Sequence, residues 1–72
     1  MKRFDAKALH KALDEQRKRR DMSWADVSKE IGVSASTLRR TSEGGRMEVD
    51  GMLAMVYWLN EKVETFVIET TY

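Results

Sequence analysis

The sequence predicts an all-α protein, a compact bundle of four or five short helices forming one domain over residues 1–72. Three observations predict it. Apolar residues recur at three- and four-residue intervals along most of the chain. Capping residues, Asp5, Ser23 and Ser34, head the periodic segments. Glycine or asparagine stands where the periodicity breaks, at Gly32, Gly44-Gly45 and Asn60.

Asp5 caps the first helix, because its carboxylate accepts from the free amides of the next turn. Phe4 and Leu9 occupy the two positions of a hydrophobic staple. Ala6, Leu9, Ala12, Leu13 and Gln16 mark one face, and the helix is expected to run to about Arg19 and end near Asp21. Arg17, Lys18, Arg19 and Arg20 crowd its last turn, where cations suit the helix dipole. That run reads either as a solvated helix end or as a patch for a nucleic-acid backbone. His10, the only histidine, is expected on the surface.

Ser23 and Asp26 have the spacing of a capping box for a second, short helix. Trp24, Val27 and Ile31 give its apolar face, with Trp24 expected in the core, and Gly32 ends it in the left-handed conformation. Ser34 caps a third helix, from Ala35 to about Glu43. A fourth is expected from about Val49 to Leu59, with Val49, Leu53, Val56, Tyr57 and Leu59 as its apolar stripe. Met52, Met55 and Trp58 are then either core or an association surface. Val63, Phe66 and Val67 fit a short fifth helix, and Thr65 to Tyr72 is also rich in β-branched residues that suit a strand. The preferred reading is a helix from Val63 to Val67 and an extended tail at 68–72.

The net charge is only +1, but residues 1–46 carry net +5 and residues 47–72 net −4. A near-neutral chain so divided can bind an anion on one side. Absence of cysteine excludes a disulfide framework and thiolate metal sites. No secretory signal or membrane span is expected, and the expected location is cytoplasmic, at the nucleoid when bound. One histidine, no cysteine and no phosphate loop leave no nucleophile–base pair, so neither enzymatic activity nor a cofactor is expected.

The second and third helices are separated only by Gly32-Val33-Ser34, the spacing of a helix-turn-helix. Val27, Ile31, Val33, Leu38 and Thr41 would pack them together, and the small Ser28 permits close approach. From Trp24-Ala25-Asp26-Val27 through Gly32-Val33-Ser34 to Leu38 and Gly44, the sequence resembles the phage-repressor and Cro-type (XRE-like) helix-turn-helix family. The resemblance covers about Leu13 to Phe66. It implies a lambda-repressor-like bundle whose third helix enters the DNA major groove. That family usually carries a polar residue where Trp24 stands. Here the phosphate donors at that place would be the Trp24 amide and Ser23.

Geometry assigns the rest. If Leu38 faces the core, Ser36 and Arg40 each lie about 200° from it around the helix. Arg40 is then placed for a bidentate contact to guanine, Ser36 for a base edge or a phosphate, and Ala35 for a thymine methyl. Ser34, Thr37, Arg39 and Arg46 are assigned to phosphates. The expected function is sequence-specific binding of double-stranded DNA by a transcriptional regulator of repressor type. One small head makes few contacts, so a homodimer on a two-fold site is expected. The acidic half, with Met52, Met55, Trp58 and the Phe66–Tyr72 tail, is its expected interface. The rivals are a helix-turn-helix module used for protein contact, antitoxin-like or adaptor, and an architectural DNA binder with little sequence preference.

Overall fold

Residues 1–70 are described by a computed structural model. The described chain is mostly helical, with four α-helices and a small two-stranded sheet. The first element is a strand. β1 (Lys2–Phe4) pairs antiparallel with β2 (Val67–Glu69), setting Lys2 against Glu69, Arg3 against Ile68 and Phe4 against Val67. Phe4 therefore packs on Phe66, with ring centroids 5.9 Å apart, and the Asp5 amide donates to the Phe66 carbonyl at 2.6 Å. The expected fifth helix is a single 3-10 turn, Val63–Phe66, leading directly into β2. The expected extended tail at 68–72 is β2 as far as Glu69, and Thr71 and Tyr72 lie outside the described residues.

α1 (Ala6–Arg19) begins at Asp5, whose carboxylate accepts from the Ala8 amide at 3.1 Å. Its buried side is Ala6, Leu9 and Leu13. After it, Asp21 turns the chain with a left-handed φ of 53°, and the Arg17 guanidinium donates to the Met22 carbonyl at 2.9 Å to hold the turn. α2 (Trp24–Ile31) starts in a complete capping box: Asp26 N–H donates to Ser23 Oγ and Ser23 N–H donates to the Asp26 carboxylate. Gly32 closes it at φ 84°, where an L side chain is strained. Ser28 does more than leave space, because its hydroxyl donates to the Val33 carbonyl at 2.6 Å across the turn.

α3 (Ala35–Arg40) is capped by Ser34 and is shorter than expected. Thr41–Glu43 tightens to a 3-10 turn. The reason is local: the Thr41 and Ser42 hydroxyls donate to the Leu38 and Arg39 carbonyls at 2.6 and 2.7 Å, giving the last turn alternative partners. α4 (Val49–Trp58) is capped by Glu48, and Asn60 follows it in the left-handed conformation (φ 57°) as expected.

The core is one cluster of Leu9, Leu13, Val27, Leu38, Met55, Val56 and Phe66. This corrects the expected stripe of α4. Val49, Leu53 and Tyr57 are exposed, while Met55 and Val56 are fully buried and Met52, Trp58 and Leu59 half-buried. α4 is apolar on nearly every side, so periodicity alone could not choose its inner face. Met55 belongs to the core, which corrects its place in an association surface. Trp58 is committed too: its indole N–H donates to Glu30 at 3.0 Å, and Arg20, bound to the same carboxylate at 2.9 Å, lies over its ring.

His10 is not a free surface residue. It is half-buried, its ring stacks on Trp24 with centroids 5.2 Å apart, and Nδ1 lies 2.8 Å from the hydroxyl of buried Thr41. That hydroxyl donates to the Leu38 carbonyl, so Nδ1–H is the donor that completes the chain of hydrogen bonds. Trp24 is only half-buried, held between His10 and the Arg17 guanidinium, 4.9 Å from its ring centroid. No helix of the described residues is long and apolar enough to cross a membrane.

Candidate nucleic-acid interface

The chain from Ser34 to Met47 carries most of the candidate residues. Leu38 is fully buried in the core cluster, and this places the opposite side of α3 in solvent. Ser36, Arg39 and Arg40 are exposed there, with Ala35 and Thr37 half-buried beside them. At the head of α3 three hydroxyls meet. Ser34 Oγ accepts from the Thr37 amide and lies 2.8 Å from Thr37 Oγ1 and 3.2 Å from Ser36 Oγ. Arg46 is brought close by the turn through Gly44. Arg40, Thr37 and Arg46 line one cleft of about 200 Å³, floored by Ala6, Met47 and Met55. Arg39 stands outside it.

Ser23 and Trp24 are placed differently. The Ser23 amide is spent on Asp26, whose carboxyl is held below its ordinary 3.8 chiefly by that hydrogen bond. A charged carboxylate thus sits on the cap of α2, where a phosphate would come. The Trp24 ring packs onto His10 and Arg17 and is not turned to solvent as a donor.

Three cations near the end of α1 are held in ion pairs. Arg17 and Lys18 both pair with Asp14, at 2.7 and 3.2 Å, and Arg20 pairs with Glu30. Arg17 also holds the Met22 carbonyl. The Asp14 pairs are internal to α1, while the Arg17–Met22 and Arg20–Glu30 contacts tie its end to the turn and to α2. The Arg17 hydrogen bond, first of all, holds the Asp14 carboxyl below its ordinary 3.8, and Arg20 does the same for Glu30 relative to 4.5. Arg39, Arg40 and Arg46 form no ion pair among the described residues.

Sequence reasoning missed two neighbours of this group. Arg3, on β1, shares a second groove with Arg46, and the Lys7 side chain lies over Gly44, whose added Cβ would come within 3.2 Å of Lys7 Cε. Both reach the Gly44–Met47 turn only because β1 and α1 pack beneath it. No spacing in the sequence announces that. Among the described residues no group of three or more His, Asp or Glu is arranged to hold a metal ion. No protein-family model, no curated protein and no solved structure matches the chain.

Proposed function

We propose that the protein is a sequence-specific DNA-binding protein of helix-turn-helix type, a transcriptional regulator that reads the major groove with α3. The observation that carries this is the contrast among the cations. Arg17, Lys18 and Arg20 near the end of α1 are ion-paired internally, whereas Arg39, Arg40 and Arg46 are exposed and form no ion pair among the described residues, on and beside the outward face of α3. Leaving guanidinium groups without partners on one short stretch favours an anionic partner there. The three-residue turn between α2 and α3, and the burial of Val27 and Leu38 between them, support the helix-turn-helix reading and the resemblance to the XRE-like family.

In this reading Arg40 and Ser36 reach base edges and Ala35 meets a thymine methyl. Ser34, Thr37, Arg39, Arg46 and the Trp24 amide contact phosphates, and Arg3 and Lys7 extend that contact along the backbone. Ser23 acts through its hydroxyl alone. The reading assigns no catalytic step and no cofactor, and it expects two copies on a two-fold site. Selection from a random pool of duplex DNA at about physiological ionic strength tests it. The expected result is an enriched site with two-fold symmetry. Binding with no enrichment would replace it with an architectural binder. No binding even at low salt would overturn it in favour of a protein-contact module.

A further inference from the structure

The cleft beside α3 joins two unlike kinds of lining. Arg40 and Arg46 bring guanidinium groups to it, and Ala6, Met47 and Met55 give it an apolar floor. Both arginines are exposed, and neither forms an ion pair among the described residues. Glu48 also lines the cleft, but its carboxylate accepts from the Asp50 amide at 3.2 Å as the cap of α4. The hydroxyls on the lining are committed too. Thr41 donates to the Leu38 carbonyl at 2.6 Å, and Thr37 Oγ1 lies 2.8 Å from Ser34 Oγ. The unspent side-chain donors are therefore the two guanidinium groups. Two arginines and one glutamate give the lining a net charge of +1. A DNA phosphate would use those cations and leave the apolar floor uncovered.

We infer that this cleft binds a small organic carboxylate, one anionic head on a short aromatic or aliphatic body. The head sits on Arg40 and Arg46, and the body covers Met47 and Met55. A guanidinium group presents paired N–H donors that fit a carboxylate in a bidentate fork. A monoanion neutralises the lining's charge. Thioethers are flexible and polarisable, so two methionines adapt to an apolar body and favour contact with a ring. The volume sets the size. The cleft's 200 Å³ holds about seven waters at ~30 Å³ each. Covalently joined atoms pack closer, so the ligand has roughly ten non-hydrogen atoms. A ligand of that size in an open site binds with a Kd of about 0.1–1 mM.

Arg40 is also the base-reading residue of the DNA-binding reading. On that reading carboxylate and duplex exclude each other, and the ligand releases the protein from DNA. This consequence rests on the DNA-binding reading, and the site itself does not.

Benzoate is a probe of this size and charge. Amide and methyl spectra of the full chain, titrated with benzoate to about 10 mM at constant ionic strength, read the site without DNA. Saturable shifts at Thr37, Gly44, Arg46, Gly51 and Met55 are expected. Inorganic phosphate, a head without a body, and benzamide, a body without a charge, each bind at least ~5-fold more weakly. Arg46→Gln weakens benzoate at least ~3-fold. Arg19→Gln, which removes the same charge from an exposed position outside the cleft, leaves it unchanged. The inference is overturned by no saturable shift below about 10 mM, by phosphate or benzamide binding as tightly as benzoate, or by equal effects of the two substitutions. In a second measurement, benzoate at about ten times its Kd weakens binding to the selected duplex about tenfold, relative to chloride at the same ionic strength. Duplex binding that benzoate leaves unchanged overturns the competition. Benzoate binding by a chain that binds no duplex upholds the site and overturns the DNA-binding reading alone.

Discussion

Two glycines that look alike in the sequence should respond to alanine with opposite signs. Gly44 ends the 3-10 turn after α3 at φ 75° and ψ −174°, a region that essentially only glycine occupies. Forcing alanine there costs on the order of 1–3 kcal/mol in backbone strain. Its Cβ would also come to 3.2 Å from Lys7 Cε, a flexible chain that gives way by a few tenths of an ångström, so strain is the larger part. Gly51 lies in the first turn of α4, and its Cβ would meet only the Glu48 carboxylate at 3.5 Å, an ordinary contact. Alanine there removes glycine's excess unfolded-state entropy, worth about 0.5–1 kcal/mol. In urea the midpoint should fall for Gly44→Ala and rise for Gly51→Ala with m unchanged. In a chain this size each kcal/mol moves Tm by about 4–8 °C. A neutral Gly44→Ala, or a Gly51→Ala that lowers the midpoint, would refute the reasoning, because each sign follows directly from the backbone geometry.

Leu38→Ala opens a cavity at the junction of α1, α2 and α3, and should cost about 3–5 kcal/mol, enough to unfold much of so small a domain at room temperature. Circular dichroism under urea reads this, and a loss below 1 kcal/mol would place Leu38 outside the core. Acid should destabilise the fold. Asp14, Asp26 and Glu30 are held below their ordinary 3.8, 3.8 and 4.5 mainly by hydrogen bonds from Arg17, the Ser23 amide and Arg20. A depressed carboxyl contributes stability that is fully present above its unfolded value and is lost as pH falls through its folded value. The urea midpoint should therefore decline from about pH 5 downward, less steeply in Asp14→Asn. A midpoint constant to pH 3 would contradict this.

The helical part of the fold was legible where local chemistry alone decides it. Asp5, Ser23 and Ser34 are caps in the structure, and the Ser23–Asp26 box and Gly32 stop bound α2 as their spacing says. What failed required knowledge of distant neighbours. β1 is three residues long and its partner lies more than sixty residues away, so no local pattern marks it. His10 appeared exposed because its partners, Trp24 and Thr41, stand on other elements. α4 is apolar all round, and choosing Met55 and Val56 over Leu53 and Tyr57 depended on which side the other helices approach. Of the candidate site, the outward position of Ser36 and Arg40 followed from Leu38 facing inward. Arg3 and Lys7 did not, because they reach the Gly44–Met47 turn through tertiary packing.

The central claim is that Arg40 reads bases while Arg46 holds the backbone. It is tested most directly by measuring Arg40→Ala and Arg46→Ala on the preferred duplex and on a scrambled one, across a range of salt. The account predicts that Arg40→Ala loses about 1–3 kcal/mol on the preferred duplex and little on the scrambled one. Arg46→Ala should weaken both about equally and reduce the slope of log K against log salt by about 1. Equal losses on both duplexes from Arg40→Ala would contradict the claim.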